Sequence, residues 1–265
     1  HHFKDKLSHF LVKIPLIGKK LNSFVRAVKE LFKNMIYRSN MFSTLGYNYL
    51  GPVDGHDIKA LESVFKIACE YDRPSLVHVV TTKGKGYHYA ETSPKNYHGV
   101  SPFSVEAGAE NGGGMNFSAV AGKTLCELAE KDDKICAITA AMTEGTGLGE
   151  FAVQYKSRFF DVGIAEQHAV CFGAGLASKG MKPYFAVYSS FLQRGFDQII
   201  HDVAIGGFPL TLLVDRAGIV GEDGESHQGL FDVSYLTLIP NMTVFSPSSY
   251  EELKFRIKYT AENRG

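Results

Sequence analysis

The apolar positions of this chain change period along its length, and the changes mark its elements. Leu21, Phe24, Val25, Val28, Leu31, Phe32, Met35 and Ile36 follow i, i+3, i+4, i+7 spacing, which predicts an amphipathic helix with a basic outer face. Docking on its own protein is the common fate of such a helix; a membrane surface or an acidic partner is the alternative. From Tyr47 the texture becomes strand, turn, helix, strand. Residues 47–50 read as a strand and Gly51-Pro52-Val53-Asp54-Gly55 as a turn. A helix after Asp57 buries Ile58, Leu61, Phe65 and Ala68, and 75–81 is the second strand of one βαβ unit. Residues 83–115 are rich in Gly, Ser, Pro and Asn, lack a period and end in Gly112-Gly113-Gly114, as an active loop followed by a linker would.

Beyond the linker, helical and apolar extended segments alternate. The spacing predicts helices at 118–131, from about 147, at 165–179, 190–205 and 248–262, and strands at 135–139, 158–162, 182–188, 210–215 and 242–245. Runs such as Leu210-Thr211-Leu212-Leu213-Val214 are apolar on both faces, as in a parallel sheet covered by helices. The expected architecture is therefore α/β, with parallel sheets carrying helices on both faces. Residues 1–115 form one domain region and 116–265 a second, and ligands belong beyond the C-terminal ends of the strands.

Composition narrows the function classes. The 28 Lys and Arg balance the 28 Asp and Glu over 265 residues, which leaves no footprint of a phosphate-backbone binder and speaks against a nucleic-acid partner. The balance is uneven, with the first forty residues at +7 and the remainder at −7. No apolar run approaches the ~20 residues that span a bilayer, so no membrane partner is expected. The cysteines Cys69, Cys126, Cys136 and Cys171 lack CxxC spacing and sit in apolar stretches, as reduced thiols packed in cores do.

Unusual residues collect at the strand ends. The strand predicted at 158–162 runs into Gly163-Ile164-Ala165-Glu166-Gln167-His168, that at 182–188 into Tyr188-Ser189-Ser190-Phe191-Leu192-Gln193-Arg194, and that at 210–215 into Asp215-Arg216-Ala217-Gly218 followed by Asp223 and His227. Arg194, Arg216 and Tyr188 suit a phosphate, because guanidinium groups present paired donors to its oxygens. Glu166 at a helix start reads equally as a complement to the helix dipole or as a catalytic acid. His168 and His201 read as packed or surface histidines. The glycine clusters at 145–149 and 84–86 lack dinucleotide spacing, and no P-loop or GxSxG motif is present. Residue chemistry alone points to a phosphate-handling enzyme.

Taken as whole strings, Asp161-Val162-Gly163-Ile164-Ala165-Glu166-Gln167-His168-Ala169-Val170, Tyr188 to Arg194, and Asp215-Arg216-Ala217-Gly218-Ile219-Val220-Gly221 leading to His227-Gln228-Gly229 resemble the 1-deoxy-D-xylulose-5-phosphate synthase family. So do Gly51-Pro52-Val53-Asp54-Gly55-His56-Asp57, Thr82-Lys83-Gly84-Lys85-Gly86-Tyr87 and Tyr97-His98-Gly99-Val100, in the same order. The resemblance covers about residues 42–265. It implies a thiamine-diphosphate-dependent, transketolase-type transferase with Mg²⁺, a thiamine-diphosphate-binding fold and a homodimer. The reaction it implies condenses pyruvate with glyceraldehyde 3-phosphate and releases carbon dioxide, the first step of non-mevalonate isoprenoid synthesis, in a bacterial cytoplasm or a plastid.

Residue by residue, the resemblance implies that Glu166 hydrogen-bonds the cofactor's aminopyrimidine, with Phe191 stacked on that ring and Met142 and Ile164 in the apolar wall. It implies catalytic roles for His98, which reaches the cofactor from the first domain, and for Asp223 and His227 beside the reacting carbons. Tyr188, Arg194 and Arg216, with Asp223 and His227, match acceptor-binding positions. The family's Gly-Asp-Gly segment with its later Asn, which holds Mg²⁺ and the diphosphate, has no match here, nor does its third domain. The chain is expected to comprise the C-terminal part of a first, diphosphate-side domain plus a second, pyrimidine-side domain. Alone it is expected to be inactive, with no metal ligands of its own. The competing readings are another transketolase-type subunit or fragment, or a noncatalytic interaction module built on the basic helix.

Overall fold

The computed structural model describes residues 40–94, 96–100, 102–109, 114–221 and 224–263. The basic helix expected within 1–40 and the triple glycine through Gly113 lie outside the described residues. The chain divides into two compact units between Gly112 and Gly113.

The first unit holds two parallel strands, β1 (Asn48–Asp54) and β2 (Ser75–Val80), joined through helix α1 (Ile58–Cys69). Asp57 begins α1 by accepting the Ala60 amide at 3.1 Å, satisfying a donor that the first helical turn leaves open. The residues predicted as a turn belong instead to β1: the strand continues through Gly51 and a cis Gly51–Pro52 bond, with a register shift between Leu50 and Val53. A short helix α2 (His88–Thr92) follows. Tyr87, Tyr97 and Phe103 then pack as a ring cluster, with Tyr87 and Phe103 at 5.6 and 5.4 Å from the Tyr97 ring.

The second unit is a parallel sheet in the order β4-β3-β5-β6: β3 (Ile135–Thr139), β4 (Phe159–Asp161), β5 (Lys182–Tyr188) and β6 (Thr211–Asp215). Its helices are α3 (Phe117–Lys131), α4 (Gly149–Gln154), α5 (Glu166–Ser178), α6 (Asp232–Leu236) and α7 (Tyr250–Glu262). The central strand β3 is buried at every position, which is why Ile135-Cys136-Ala137-Ile138 is an apolar run and why Thr139 at its end donates its hydroxyl to the Ala186 carbonyl at 3.1 Å. One core cluster joins Leu125, Ile135, Leu148, Phe151, Tyr184 and Ile257; the other joins Ile138, Val170, Phe185, Val187, Leu192 and Ile199. The two clusters are the two apolar layers expected of a sheet covered on both faces. Each fully buried large side chain contributes about 1.5–3 kcal/mol of apolar transfer.

Further sequence expectations change: Ile58 and Phe65, expected buried on α1, are 65% and 50% exposed. Residues 189–204 do not form one helix but four short segments, ending in a π-helical turn over Ile199–Ala204. Residues 242–245 form no strand; together with β6 they line a cavity of about 980 Å³. A four-residue apolar run needs a ladder partner to become a strand. The cysteines also divide: Cys126 and Cys136 are buried, whereas Cys69 and Cys171 are exposed. Among the described residues, no helix is long and apolar enough to cross a membrane.

Candidate active site

Strand register brings the unusual residues to one edge of the sheet. Thr139 of β3 sits level with Asp161 of β4 and Ala186 of β5, and Tyr188 of β5 sits level with Asp215 of β6. The chain passes from β3 to β4 on one side, then crosses to β5 on the other. The loops after β3 and β5 therefore diverge and leave a crevice beyond the strand ends.

Glu166 opens helix α5 beyond the end of β4 and is 2% exposed. A buried carboxylate is costly without a partner. The partner is Arg194, whose Nη1 donates to Oε1 of Glu166 at 2.5 Å. The close approach of the helix to the segment after β5 rests on Gly195, where an added Cβ would lie 3.0 Å from a methyl of Val170.

Arg194 also begins a stack. Its guanidinium lies 5.0 Å from the Phe191 ring centre, Phe191 stacks on Tyr188 at 5.9 Å and 20°, and the Arg216 guanidinium covers Tyr188 at 4.5 Å. His227 meets Phe191 edge-on at 5.4 Å and 89°, and its Nδ1 is 2.7 Å from the Ser226 hydroxyl. One aromatic column thus carries a cation at each end and an imidazole at its side. Arg216 takes a left-handed backbone, φ 51°, with its amide donating to its neighbour Asp215 Oδ1 at 2.8 Å. The other oxygen of Asp215 accepts the Ser118 hydroxyl at 2.6 Å, tying the end of β6 to the start of α3.

Asp161, the last residue of β4, organises the other side. Oδ1 accepts the amides of Ala141 at 2.8 Å and Gly163 at 3.0 Å, and Oδ2 accepts the Thr143 hydroxyl at 3.1 Å. It holds together the loop with half-buried Met142 and the turn with Ile164, which is 83% exposed. Asp-Val-Gly at a strand end is the local signal: a short acceptor before a glycine that turns at φ 71°.

The loop between Gly218 and Gly229 closes on itself. The amides of these two glycines exchange hydrogen bonds at 2.7 and 2.9 Å. Gln228 clamps it further, accepting the Val220 amide at 2.7 Å and donating to the Val220 and Gly224 carbonyls at 3.0 and 2.6 Å. Asp223 in this loop lies outside the described residues.

The structure therefore gathers Glu166, Arg194, Phe191, Tyr188, Arg216 and His227 at one sheet edge, with Met142 and Ile164 on the loops that Asp161 joins. His98 belongs to the first unit, where its Nδ1 lies 2.8 Å from Lys83 Nζ. Among the described residues there is no group of three or more His, Cys, Asp or Glu arranged to hold a metal ion.

Residues 113–264 match the family model of the transketolase pyrimidine-binding domain, and residues 1–81 match that of 1-deoxy-D-xylulose-5-phosphate synthase. The chain is 52% identical over 258 residues to the 1-deoxy-D-xylulose-5-phosphate synthase of Symbiobacterium thermophilum, covering 97% of this chain and 40% of the relative. It is 52% identical to that of Caldanaerobacter subterraneus subsp. tengcongensis, covering 96% and 41%, and 47% identical to that of Clostridium tetani, covering 97% and 42%. The chain thus spans about two fifths of the length of these relatives. Among solved structures it resembles a split-gene transketolase described as an inactive β4 tetramer, at 30% identity and a TM-score of 0.51, over 58% of this chain and 50% of that one. A transketolase of Pichia stipitis in complex with sedoheptulose 7-phosphate shares the fold, at 14% identity and a TM-score of 0.51, over 86% of this chain and 48% of that one.

Proposed function

Because the chain belongs to the 1-deoxy-D-xylulose-5-phosphate synthase family of transketolase-type proteins, we propose that it serves the thiamine-diphosphate-dependent condensation of pyruvate with glyceraldehyde 3-phosphate, releasing carbon dioxide. The observation that carries the reading is a carboxylate 2% exposed, at the first turn of a helix, beside an aromatic column with an arginine at each end.

The pyrimidine half of thiamine diphosphate fits these residues: Glu166 is a dry carboxylate and Phe191 a half-buried ring beside it. Mg²⁺ does not fit the described residues, which hold no group of three or more His, Cys, Asp or Glu for it. When bound, thiamine diphosphate supplies a carbon nucleophile suited to decarboxylating an α-keto acid. Glu166 holds a proton between its carboxyl oxygen and a ring nitrogen, general acid-base work that its burial favours. Phe191 offers a face to the ring, and half-buried Met142 and exposed Ile164 offer it apolar surface. Arg194 keeps Glu166 aimed while standing at the acceptor side. Tyr188 and Arg216 orient the phosphate of glyceraldehyde 3-phosphate through charge-assisted hydrogen bonds. His227 and Asp223 offer polar groups to the reacting carbons, and the same reading keeps a catalytic role for His98. The same reading carries Mg²⁺ held outside the described residues, a homodimer, a bacterial cytoplasm and the opening step of isoprenoid supply.

The test is a graft. This chain replaces the matching 258 residues of the Symbiobacterium thermophilum relative, and product and carbon dioxide are assayed with thiamine diphosphate and Mg²⁺. An active graft whose Glu166→Gln form turns over about 10²–10⁴-fold more slowly supports the assignment. A folded graft that binds the cofactor yet forms no product, or an E166Q form at full rate, overturns it.

A second reading is favoured by the 30% identity with the split-gene transketolase: the chain is one subunit, completed by another polypeptide that brings the metal site. Recovery of activity on adding a diphosphate-side domain as a separate chain distinguishes it.

A further inference from the structure

Two histidines of the first unit meet consecutive residues that demand opposite tautomers. The backbone N–H of Thr82 donates to Nε2 of His56 at 2.8 Å. That nitrogen is therefore an acceptor, and in the neutral ring the proton sits on Nδ1. The next residue, Lys83, places its ammonium 2.8 Å from Nδ1 of His98. An ammonium has donors and no acceptor, so Nδ1 of His98 accepts and the ring proton sits on Nε2.

Both contacts are framed by local structure. The turn after β2 closes through the Lys85 amide on the Thr82 carbonyl at 3.2 Å, and the Tyr87 amide donates to the Gly84 carbonyl at 3.0 Å. Gly84 sits at φ 78°, where an added Cβ would approach Ala90 Cβ to 2.5 Å, so the turn is packed on α2. His56 is fixed by its own amide donating to Asp54 Oδ1 at 2.9 Å. His98 is fixed through its neighbour Tyr97, whose ring meets Tyr87 and Phe103 and whose hydroxyl accepts the Ala109 amide at 2.8 Å.

We propose that the Thr82-Lys83 step sets these tautomers, with Lys83 a positioning residue that holds His98 as the Nε2–H form. His98 then presents a hydrogen-bond donor, suited to an anionic or carbonyl oxygen of a bound reactant; a bare Nε2 would repel such an oxygen. The use of that donor in catalysis rests on the reading of His98 given above, whereas the tautomer itself does not.

The test is long-range ¹H–¹⁵N NMR of the ¹⁵N-histidine-labelled chain at about pH 8.5, above the ~6.5 of an ordinary histidine. Signals are assigned with H98N and H56Q. The expected result is an Nδ1–H pattern for His56 and an Nε2–H pattern for His98. Lys83→Met shifts His98 toward the averaged pattern of a solvent-exposed ring and leaves His56 unchanged, while Lys83→Arg, which also only donates, preserves the parent pattern. An Nδ1–H pattern for His98 in the parent, or a K83M spectrum identical to the parent, overturns the proposal. Should K83M also disturb His56, the parent and K83R spectra decide. Loss of product by the H98N graft tests the catalytic use separately, so either claim can fail alone.

Discussion

Arg194 and Glu166 form an ion pair across a steep gradient of exposure: the carboxylate is 2% exposed and the guanidinium 49%. The two lie 28 residues apart, one at the first turn of α5 and the other in the segment after β5. The arginine reaches inward from solvent to satisfy a charge that the fold buries, and its outer surface covers Phe191.

Removing the outer partner therefore costs more than an exposed ion pair would. Arg194→Met leaves a buried carboxylate short of a donor, a loss of about 1–3 kcal/mol. Glu166→Gln removes the buried charge while its amide oxygen still accepts from Arg194, so its loss is smaller. Urea denaturation of the two variants checks the order; R194M as stable as the parent would show that the pair does not support the fold.

Two helical glycines should respond to alanine with opposite signs. An added Cβ at Gly122 of α3 would meet the Gly147 carbonyl oxygen at 1.9 Å, a backbone atom on the loop that carries Met142, whereas at Gly175 of α5 nothing lies within 4 Å. Gly122→Ala is expected to cost about 1–3 kcal/mol through overpacking. Gly175→Ala is expected to gain about 0.5–1 kcal/mol, since glycine weakens a helix interior. Thermal melts of both variants check the contrast.

What was legible in the chain depended on whether one segment or two had to be known. Ile135–Thr139 and Lys182–Tyr188 appear where their apolar runs predict, because burial on both faces writes itself into a single stretch. The run 190–205 has helical spacing but breaks, and Gly195 against Val170 is a contact that periodicity does not encode. Residues 242–245 are mostly apolar but form no strand, because a strand needs a partner as well as apolar residues. At the site, Glu166, Arg194 and Arg216 stand out as residue types in the sequence. The pairing of Arg194 with Glu166, the Tyr188–Phe191 column and the joining of two loops by Asp161 arise only when strands align.

Acid stability should carry the mark of Asp132. Lys182 donates to this carboxyl at 2.7 Å and also to the Ala261 carbonyl at 2.7 Å, linking the end of α3 to β5 and α7. The Lys182 hydrogen bond holds the Asp132 pKa below its usual value. A carboxyl depressed on folding adds stability above its unfolded pKa of ~3.9 and loses it as pH falls through the lower folded value. Asp132→Asn is thus expected to be less stable at neutral pH and to show a flatter acid limb below about pH 4. Parallel acid limbs for variant and parent in denaturant titrations would refute the linkage.

The thiols should react in an order set by their surroundings and not by exposure alone. Cys69 and Cys171 are both exposed, yet Cys171 is pushed up to about 11, first by desolvation and then by Asp202, whose Oδ2 accepts its S–H at 2.7 Å. His201 shares the other oxygen of Asp202 at 2.8 Å and is itself raised by that carboxylate. The thiolate is the nucleophile, so Cys171 is expected to alkylate more slowly than Cys69 at about pH 8 despite its access to solvent. Cys126 and Cys136, pushed up to about 11 and about 12 mainly by burial, should react only on unfolding. Asp202→Asn removes the charge that opposes the thiolate but not the desolvation, so it should speed Cys171 several-fold and leave Cys69 unchanged. Peptide mass spectrometry after timed iodoacetamide treatment reads all four sites at once. Equal rates at Cys171 in parent and D202N would leave desolvation as the whole cause.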